Sequence, residues 1–235
     1  MRLDAAGISR AGEREANEDN IRSAVKERGG GAFVVADGLG GHNGGELASS
    51  VAADWAVDHH DNMDHCFHGA HEAVLRQARR GMSTLAVLVV TEAFAARWAH
   101  IGDSRVYHFP AKRPRRYTRT FDHSVTQALA ERGDIKPKQI RFHEDRGCLL
   151  RALGDESRPL KYDLGEELPL RPGDALLLCT DGFWEWVTER QMLSALRKSR
   201  AARDWLNAME RSLLKAGAGH GLDNYSAIAV IVKRS

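Results

Sequence analysis

Five acidic motifs stand where apolar runs of this chain begin or stop. In FVVADGLGGHNGGE, residues 33–46, an apolar run ends in Asp37 and a glycine-crowded turn follows. NEDN places Glu18 and Asp19 just before IRSAV, and HIGDSRVY sets Asp103 in a tight turn between two apolar runs. LLLCTDGFW ends in Asp181 with a glycine next, and GLDNYSAIAVIV puts Asp223 just ahead of the last apolar run. Aspartate and glycine populate turns on their own account, so each motif taken alone is only a turn. As a set they say more. An unpaired carboxylate against an apolar core is costly, and coordination to a cation offsets that cost. Carboxylate oxygens suit hard cations such as Mg²⁺ and Mn²⁺. The chemistry to expect is therefore that of a metal centre built at strand ends.

A strand, a glycine-rich loop and a helix also describe a phosphate cradle, but the details fail. G-x-G-x-x-G would need glycine at 43 after Gly38 and Gly40, and Asn43 stands there. The phosphate-loop pattern from Gly40 reaches Gly45, where Glu46 replaces the required lysine.

The elements that must position these acids are legible as strand-like runs rich in Val, Ile and aromatics: GAFVVAD, TLAVLVVTE, FAARWAHIG, SRVYHF, LKYDLGEEL, DALLLCTD and SAIAVIVK. Three of them follow one another with short turns, which is a meander, so the sheets are expected to be largely antiparallel. Helical periodicity runs over 46–61, with Leu47, Val51, Trp55 and Val57 on one side, and over 124–132. It returns over 188–198, with Thr188 as N-cap, and over 201–216, with Trp205, Leu206, Met209 and Leu213 at helical spacing. Helices arriving in pairs fit a β-sandwich covered on its outer faces better than a doubly wound parallel sheet.

With 235 residues and 43% hydrophobic content, and with no repeat, low-complexity segment or Pro/Ser-rich linker, one domain over 1–235 is the simplest reading. The apolar runs fall far short of the ~20 residues that cross a bilayer. The start, MRLDAAGISR, lacks the apolar core of a signal peptide. Cys66, Cys148 and Cys179 are widely spaced and odd in number, which points to reduced thiols and a cytoplasmic protein. A net charge of +2 names no partner.

Eight motifs in order carry a resemblance: GEREANEDN, VVADGLGGHNGGELAS, GMSTLAVLVV, AHIGDSRVYHF, TFDHSVTQAL, LLRALG, GDALLLCTDGFWE and DNYSAIAVIV. Together they resemble the metal-dependent protein phosphatases, the type 2C serine/threonine family, in its bacterial form. The resemblance implies an α+β fold, two antiparallel sheets packed as a sandwich and flanked by pairs of helices. It implies two tightly bound Mn²⁺ or Mg²⁺ ions and a third, weaker one. Asp37 would bridge the pair, Gly38 would lend its carbonyl, Glu18 would bind one ion and Asp181 and Asp223 the other. Asp103, with Asp181, would hold the third ion, Asp19 would support the ligands from behind, and Arg14 would grip the substrate phosphate. The implied reaction is hydrolysis of phosphoserine and phosphothreonine by a metal-activated water. Two cations suit it, because they lower the pKa of a shared water and neutralise charge on the attacking and leaving oxygens.

One position departs from the pattern. Many relatives carry histidine directly after the D-G pair, and here Leu39 stands there. The proton donor to the leaving oxygen is left between a metal-bound water and His42.

Other signals carry less. His59, His60, His65, His68, His71 and Cys66 have some zinc-like spacings, but a polar helix face explains them. AKRPRR, 111–116, is read as a solvated hairpin tip, not a nucleic-acid site, with a part in choosing phosphoprotein partners left open. Residues 134–145 match the position of the family's mobile flap. The expected partners are phosphorylated proteins, among them a Ser/Thr kinase and its substrates, with no nucleic acid, no membrane and a monomeric state. The alternatives are a phosphatase of a specialised phosphoprotein regulator, a silent phosphoprotein-binding relative and a nucleotide phosphatase, the last without any base-binding signature.

Overall fold

The computed structural model describes residues 1–26, 29–40 and 44–234. The chain opens with strands β1 (Arg2–Arg10), β2 (Asp19–Val25) and β3 (Gly31–Leu39), followed by helices α1 (Gly44–Asp58) and α2 (Met63–Gln77). Strands β4 (Met82–Ser83), β5 (Leu85–Val90), β6 (Ala95–Ile101), β7 (Arg105–Phe109) and β8 (Thr118–Arg119) follow, and the three runs expected to form one meander are split: β5 and β6 pair in one sheet, while β7 crosses to the other. Helix α3 (Val125–Arg132) and strands β9 (Asp163–Leu164), β10 (Leu168–Pro169) and β11 (Ala175–Cys179) follow. The chain then runs through α4 (Asp181–Trp184), α5 (Glu189–Lys198), α6 (Ala202–Gly217) and β12 (Tyr225–Lys233).

One sheet has the order β1-β12-β11-β7-β8. The other is β10-β6-β5-β3-β2, with β4 pairing to β3 and β9 to β6. Every pairing among these strands is antiparallel. The fold is thus the expected α+β sandwich of two antiparallel sheets, with α1 and α2 outside one and α5 and α6 outside the other.

Alternation of side chains along a strand explains why the central strands are apolar at every position. In β3, Ala32, Val34 and Ala36 face the α1–α2 layer, while Phe33 and Val35 face the opposite sheet. In β11, Leu177 and Cys179 face α5 and α6, while Leu176 and Leu178 face the sandwich interior. An antiparallel sheet normally wets one face and shows polar alternation; here both faces are covered and the alternation vanishes.

Three sequence expectations are corrected. Helix α1 does not bury a stripe of Leu47, Val51 and Trp55: Leu47 is exposed, and the face against the sheet is Ala48, Ala52, Ala53 and Ala56. Small residues bring the helix close to β3 and α2. Trp55 instead lies across α2 at Gly69, where an added Cβ would come within 2.3 Å of the indole, and it stacks on His59. LKYDLGEEL is not one strand but the two short edge strands β9 and β10, broken at Gly165. Strand β1 was not read at all, because its half-exposed RLDAAGISR lacks an apolar run. The caps behave as the sequence implies: Thr188 Oγ accepts from the Gln191 amide, and the Gln191 side chain accepts from the Thr188 amide. No described helix is long and apolar enough to cross a membrane.

Candidate metal centre

Strand register brings the first acids together. In the β2–β3 pair, Asp19 lies directly opposite Asp37. The Asp37 carbonyl accepts from the Thr84 amide at 2.9 Å and from Ser83 Oγ at 3.1 Å, and its amide donates to Thr84 Oγ at 2.9 Å. These bonds fix the strand end and leave the carboxylate free to point into the cavity. Asp181 and Asp223 come from the other sheet, one just after β11 and one just before β12. Two backbone contacts weld the turns to each other. A Cβ at Gly38 would lie 2.1 Å from the Gly45 carbonyl oxygen, and one at Gly182 would lie 2.0 Å from that of Asn224. Only glycine permits this closeness.

Glu18, Asp37, Gly38, Asp181, Asp223 and Arg14 line one cavity of about 370 Å³. Asn224 organises its rim: its Oδ1 accepts from the Glu18 amide at 2.8 Å, and its Nδ2 donates to the carbonyls of Ala11 and Ala16. Arg14 reaches the same space, and its Nη2 donates to Asp223 Oδ2 at 2.9 Å. Asp103 does not line the cavity. It is buried behind Asp181, with Trp184 Nε1 donating to its carbonyl at 3.0 Å. Asp19 is also behind the wall: Thr180 Oγ donates to its Oδ2 at 2.8 Å, while its buried Oδ1 has no partner. Leu39 lines the cavity, and His42 lies outside the described residues.

The electrostatics are those of acids buried close to one another. Burial, and then the charges of Asp19, Asp181 and Asp103, hold the Asp37 carboxyl well above the usual carboxylate range. Burial and Asp181 do the same to Asp103, and burial and Asp223 raise Asp181. Burial pushes Asp19 up to about 7, with the hydrogen bond from Thr180 pulling the other way. The all-oxygen donor set of the cavity, with the orphaned buried Asp19 Oδ1 behind it, fits Mn²⁺ or Mg²⁺. These acids ring a cavity and do not crowd one point, as a set shared by more than one ion requires.

Among the described residues, the one trio of His, Cys, Asp or Glu donor atoms within 4.8 Å of one another is elsewhere: His100, His123 and Asp163. Its hydrogen bonds argue against a metal. His123 Nδ1 accepts from the Gly102 amide at 3.2 Å, so the ring proton is on Nε2, which faces Asp163 Oδ2 at 3.2 Å. His100 Nε2 donates to the Phe121 carbonyl at 2.7 Å. The two rings stack with centroids 4.6 Å apart. This is a histidine–carboxylate brace beneath the turn that carries Asp103. In the histidine-rich segment, α2 buries Cys66, Phe67, Ala70 and Val74, while His65 and His68 lie on its outer side.

Sequence reasoning missed the residues that aim the acids: Asn224, Thr84, Thr180 and Trp184. Each sits beside an acid in a motif already noted or pairs with it across the sheet. A signal existed, since a polar side chain next to a buried carboxylate is the natural source of its hydrogen bonds. The Arg146–Glu185 ion pair at 2.9 Å, next to cavity-lining Gly147, left no such trace.

Comparison with known proteins is consistent in sequence and in structure. The family model "Protein phosphatase 2C" matches residues 6–225. Protein phosphatase PhpP of Streptococcus pneumoniae is 28% identical over 237 residues, covering 93% of this chain and 92% of that protein. The serine/threonine protein phosphatase PstP of Mycobacterium tuberculosis is 29% identical over 244 residues, 97% of this chain but 44% of that longer protein. A crystal structure of the M. tuberculosis phosphatase PstP/Ppp superposes with a TM-score of 0.84 at 25% identity, covering 100% of both chains. A crystal structure of the PstP catalytic domain in complex with two manganese ions superposes with a TM-score of 0.79 at 25% identity, covering 99% of each chain.

Proposed function

The chain belongs to the protein phosphatase 2C family, and from that premise and the geometry of the acidic cavity we propose how its residues divide the work. The protein is a metal-dependent serine/threonine phosphatase acting on phosphorylated proteins. The observation that carries the assignment is the meeting of acids from both sheets, Asp37 and Glu18 from one and Asp181 and Asp223 from the other, in one cavity with Arg14. Glu18, Asp37, the Gly38 carbonyl, Asp181 and Asp223 would hold two divalent cations, with Asp37 shared between them, and Asp103 with Asp181 a third, weaker one. When bound, such cations supply a nucleophilic water at neutral pH and neutralise charge on the phosphoryl oxygens.

The chain's own groups do the rest. Arg14 has a planar fork of donors that matches phosphate geometry, and it sits at the cavity with its guanidinium half in solvent. Its partner Asp223 keeps that fork aimed inward before substrate arrives. Asp19 and Asn224 hold the strand ends that carry the ligands. Leu39 offers no proton, so the wall beside Gly38 only shapes the cavity.

We extend the proposal to a Ser/Thr kinase and its substrates as partners, to a monomeric state, to one catalytic domain over 1–235 and to the cytoplasm. The cytoplasmic part is supported by three free thiols, of which Cys66 and Cys179 are buried. The test is hydrolysis of p-nitrophenyl phosphate and of a phosphothreonine peptide with Mn²⁺, then after EDTA and after Mn²⁺ is restored. Activity is expected to vanish with chelation and to return with metal. Full activity of metal-free protein would remove the metal centre, and phosphopeptide binding without turnover would point to a silent binder.

A further inference from the structure

A second depression lies beside the acidic cavity and has the opposite character. It measures about 1020 Å³, against about 370 Å³ for the cavity. Its lining comes from three separate segments: the β7–β8 region with Arg105, Arg115, Tyr117 and Arg119; the 3₁₀ turn Pro137–Phe142; and 184–193 around the start of α5. The floor is apolar, made of Tyr117, Ile140, Trp184 and Leu193, and Phe142 stands at the edge, 74% exposed. Six cations line it, Arg105, Arg115, Arg119, Lys138, Arg141 and Arg190, against the single carboxylate of Glu189.

The cations divide into two sets. Arg105 is fully committed: it grips Asp122 with both ends of its fork, at 2.7 and 2.6 Å, and lies 3.4 Å from the centroid of the Trp184 ring. Arg141 is held as firmly by Glu189, at 2.9 and 3.0 Å, and Arg119 lies 3.6 Å from Asp122. These pairs build the walls. Arg115, Lys138 and Arg190 are different. All three are exposed, and no acid lies within 4 Å of them among the described residues. Lone surface cations are ordinary. Three of them around one apolar-floored cleft, with its only acid already spent on Arg141, form a surface that lacks an anionic partner.

The cleft is joined to the catalytic site. Trp184 ends the short helix that Asp181 begins, and its indole donates to the Asp103 carbonyl. Phe142 lies on the cleft and Gly147 on the acidic cavity. The five residue steps from Phe142 to Gly147 span at most roughly 18 Å of extended chain, so an extended peptide needs about the same number to bridge the two sites.

Resting on the phosphatase reading above, we propose that this cleft docks an acidic stretch of the substrate polypeptide, within about five residues of the phosphorylated Ser or Thr, with an apolar side chain on the Tyr117–Leu193 floor. The sign of charge selects the occupant. A carboxylate-rich segment complements Arg115, Lys138 and Arg190, yet it is repelled from the neighbouring acidic cavity until that cavity holds its cations. Docking holds the acidic flank on the cleft and leaves the phosphate as the anion within reach of Arg14 and the acidic cavity. The basic turn 114–116 and the segment 137–142 become determinants of substrate choice.

The experiment compares Mn²⁺-loaded wild type with Arg115→Glu/Lys138→Glu/Arg190→Glu. None of the three residues touches the acidic cavity, so p-nitrophenyl phosphate turnover is expected to be unchanged and reports that the variant is folded. Two phosphothreonine peptides are used, one with glutamates within five positions of the phosphoresidue and one with glutamines. Three exposed contacts worth about twofold each give roughly tenfold together. Wild type is expected to favour the acidic peptide about tenfold in kcat/KM and the variant to lose that preference. Should the variant fold poorly, raising salt from 50 to 500 mM on wild type is expected to erase the preference while sparing p-nitrophenyl phosphate. Equal rates on both peptides, or a preference that survives the variant or the salt, overturn the proposal. Fluorescence anisotropy of the labelled, unphosphorylated acidic peptide separates docking from catalysis. If that peptide binds wild type and not the variant while no phosphopeptide is hydrolysed, docking stands and the phosphatase reading fails. A single-stranded oligonucleotide of equal charge that displaces the peptide at lower concentration would assign the cleft to nucleic acid and overturn the proposal.

Discussion

Asp37 is where a single side chain has most to change, because it sits among Asp19, Asp103 and Asp181 as well as facing the proposed cations. The effect of Asp37→Asn is two-signed. Without metal it replaces an acid whose ionised form is disfavoured by burial and by Asp19, Asp181 and Asp103, a cost the unfolded chain does not bear, so the metal-free variant is expected to melt higher than metal-free wild type. With Mn²⁺ it lacks the shared ligand, so the rise in Tm on adding metal shrinks and turnover collapses. Differential scanning calorimetry with and without Mn²⁺ reads both; equal metal-induced shifts in the two proteins would reduce Asp37 to a turn residue. Arg14→Ala probes substrate instead. A charge-assisted fork to phosphate contributes about 1.5–3 kcal/mol, or about 10- to 100-fold in kcat/KM. The exposed Arg14–Asp223 pair contributes little by itself, so Mn²⁺ affinity is expected to hold. Arg14→Lys keeps a point charge without the fork and should recover only part of the loss. Unchanged kcat/KM on a phosphothreonine peptide in Arg14→Ala would remove Arg14 from the site. These residues were legible because each acid interrupts or abuts an apolar run, and because the motifs match a family in order. Their supporting hydrogen-bond partners were not, since nothing in a linear pattern tells which Thr or Asn will face a carboxylate from another strand.

At the scale of elements, the acids are positioned by turns pressed against each other, and Gly182 is the tightest contact. Gly182→Ala places a methyl 2.0 Å from the Asn224 carbonyl oxygen, which is backbone and has no rotamer to yield. The start of α4 must then move away from the turn before β12. Overpacking of this kind costs about 1–3 kcal/mol, and activity is expected to fall more steeply than stability. Urea unfolding and kcat measured side by side check this; wild-type values for both would mean that the two turns separate freely. Elements buried on both faces were the easiest to find in the sequence, since AFVVA and ALLLC admit nothing polar before their strands end. The failures have one cause, that burial is decided by neighbours. Leu47 looked like a core residue by type and is exposed, while an unremarkable row of alanines in α1 makes the close contact. Strand β1 was invisible because one side of it meets solvent. The basic cleft is drawn from three distant segments and could not be assembled from spacing.

At the scale of the whole molecule, the brace under the Asp103 turn makes a contribution to stability that acid removes, opposite in sign to that of the buried carboxyls of the cavity. Burial, and then neighbouring His123, lower the His100 pKa from 6.5 to about 4, and burial lowers that of His123 as well. The unfolded chain takes up the proton near pH 6.5 and the folded one does not until about 4, so folding free energy falls as pH drops across that window. One such histidine accounts for up to about 1.4 kcal/mol per pH unit. His100→Gln, compared with wild type by urea unfolding at several values between pH 6.5 and 4, is expected to show a shallower decline. Parallel curves would mean that His100 is charged in the native state. The sandwich has a further consequence in mechanical terms. Glu18 and Asp37 belong to one sheet, Asp181 and Asp223 to the other, and all four meet at a single end of the seam. Like charges there would act as a wedge between the sheets, and the proposed cations held from both sides would act as a rivet. Pulled with force along the seam, the protein should part at that end first, and its rupture force should rise with Mn²⁺, so that the state of its chemistry is written into its stiffness.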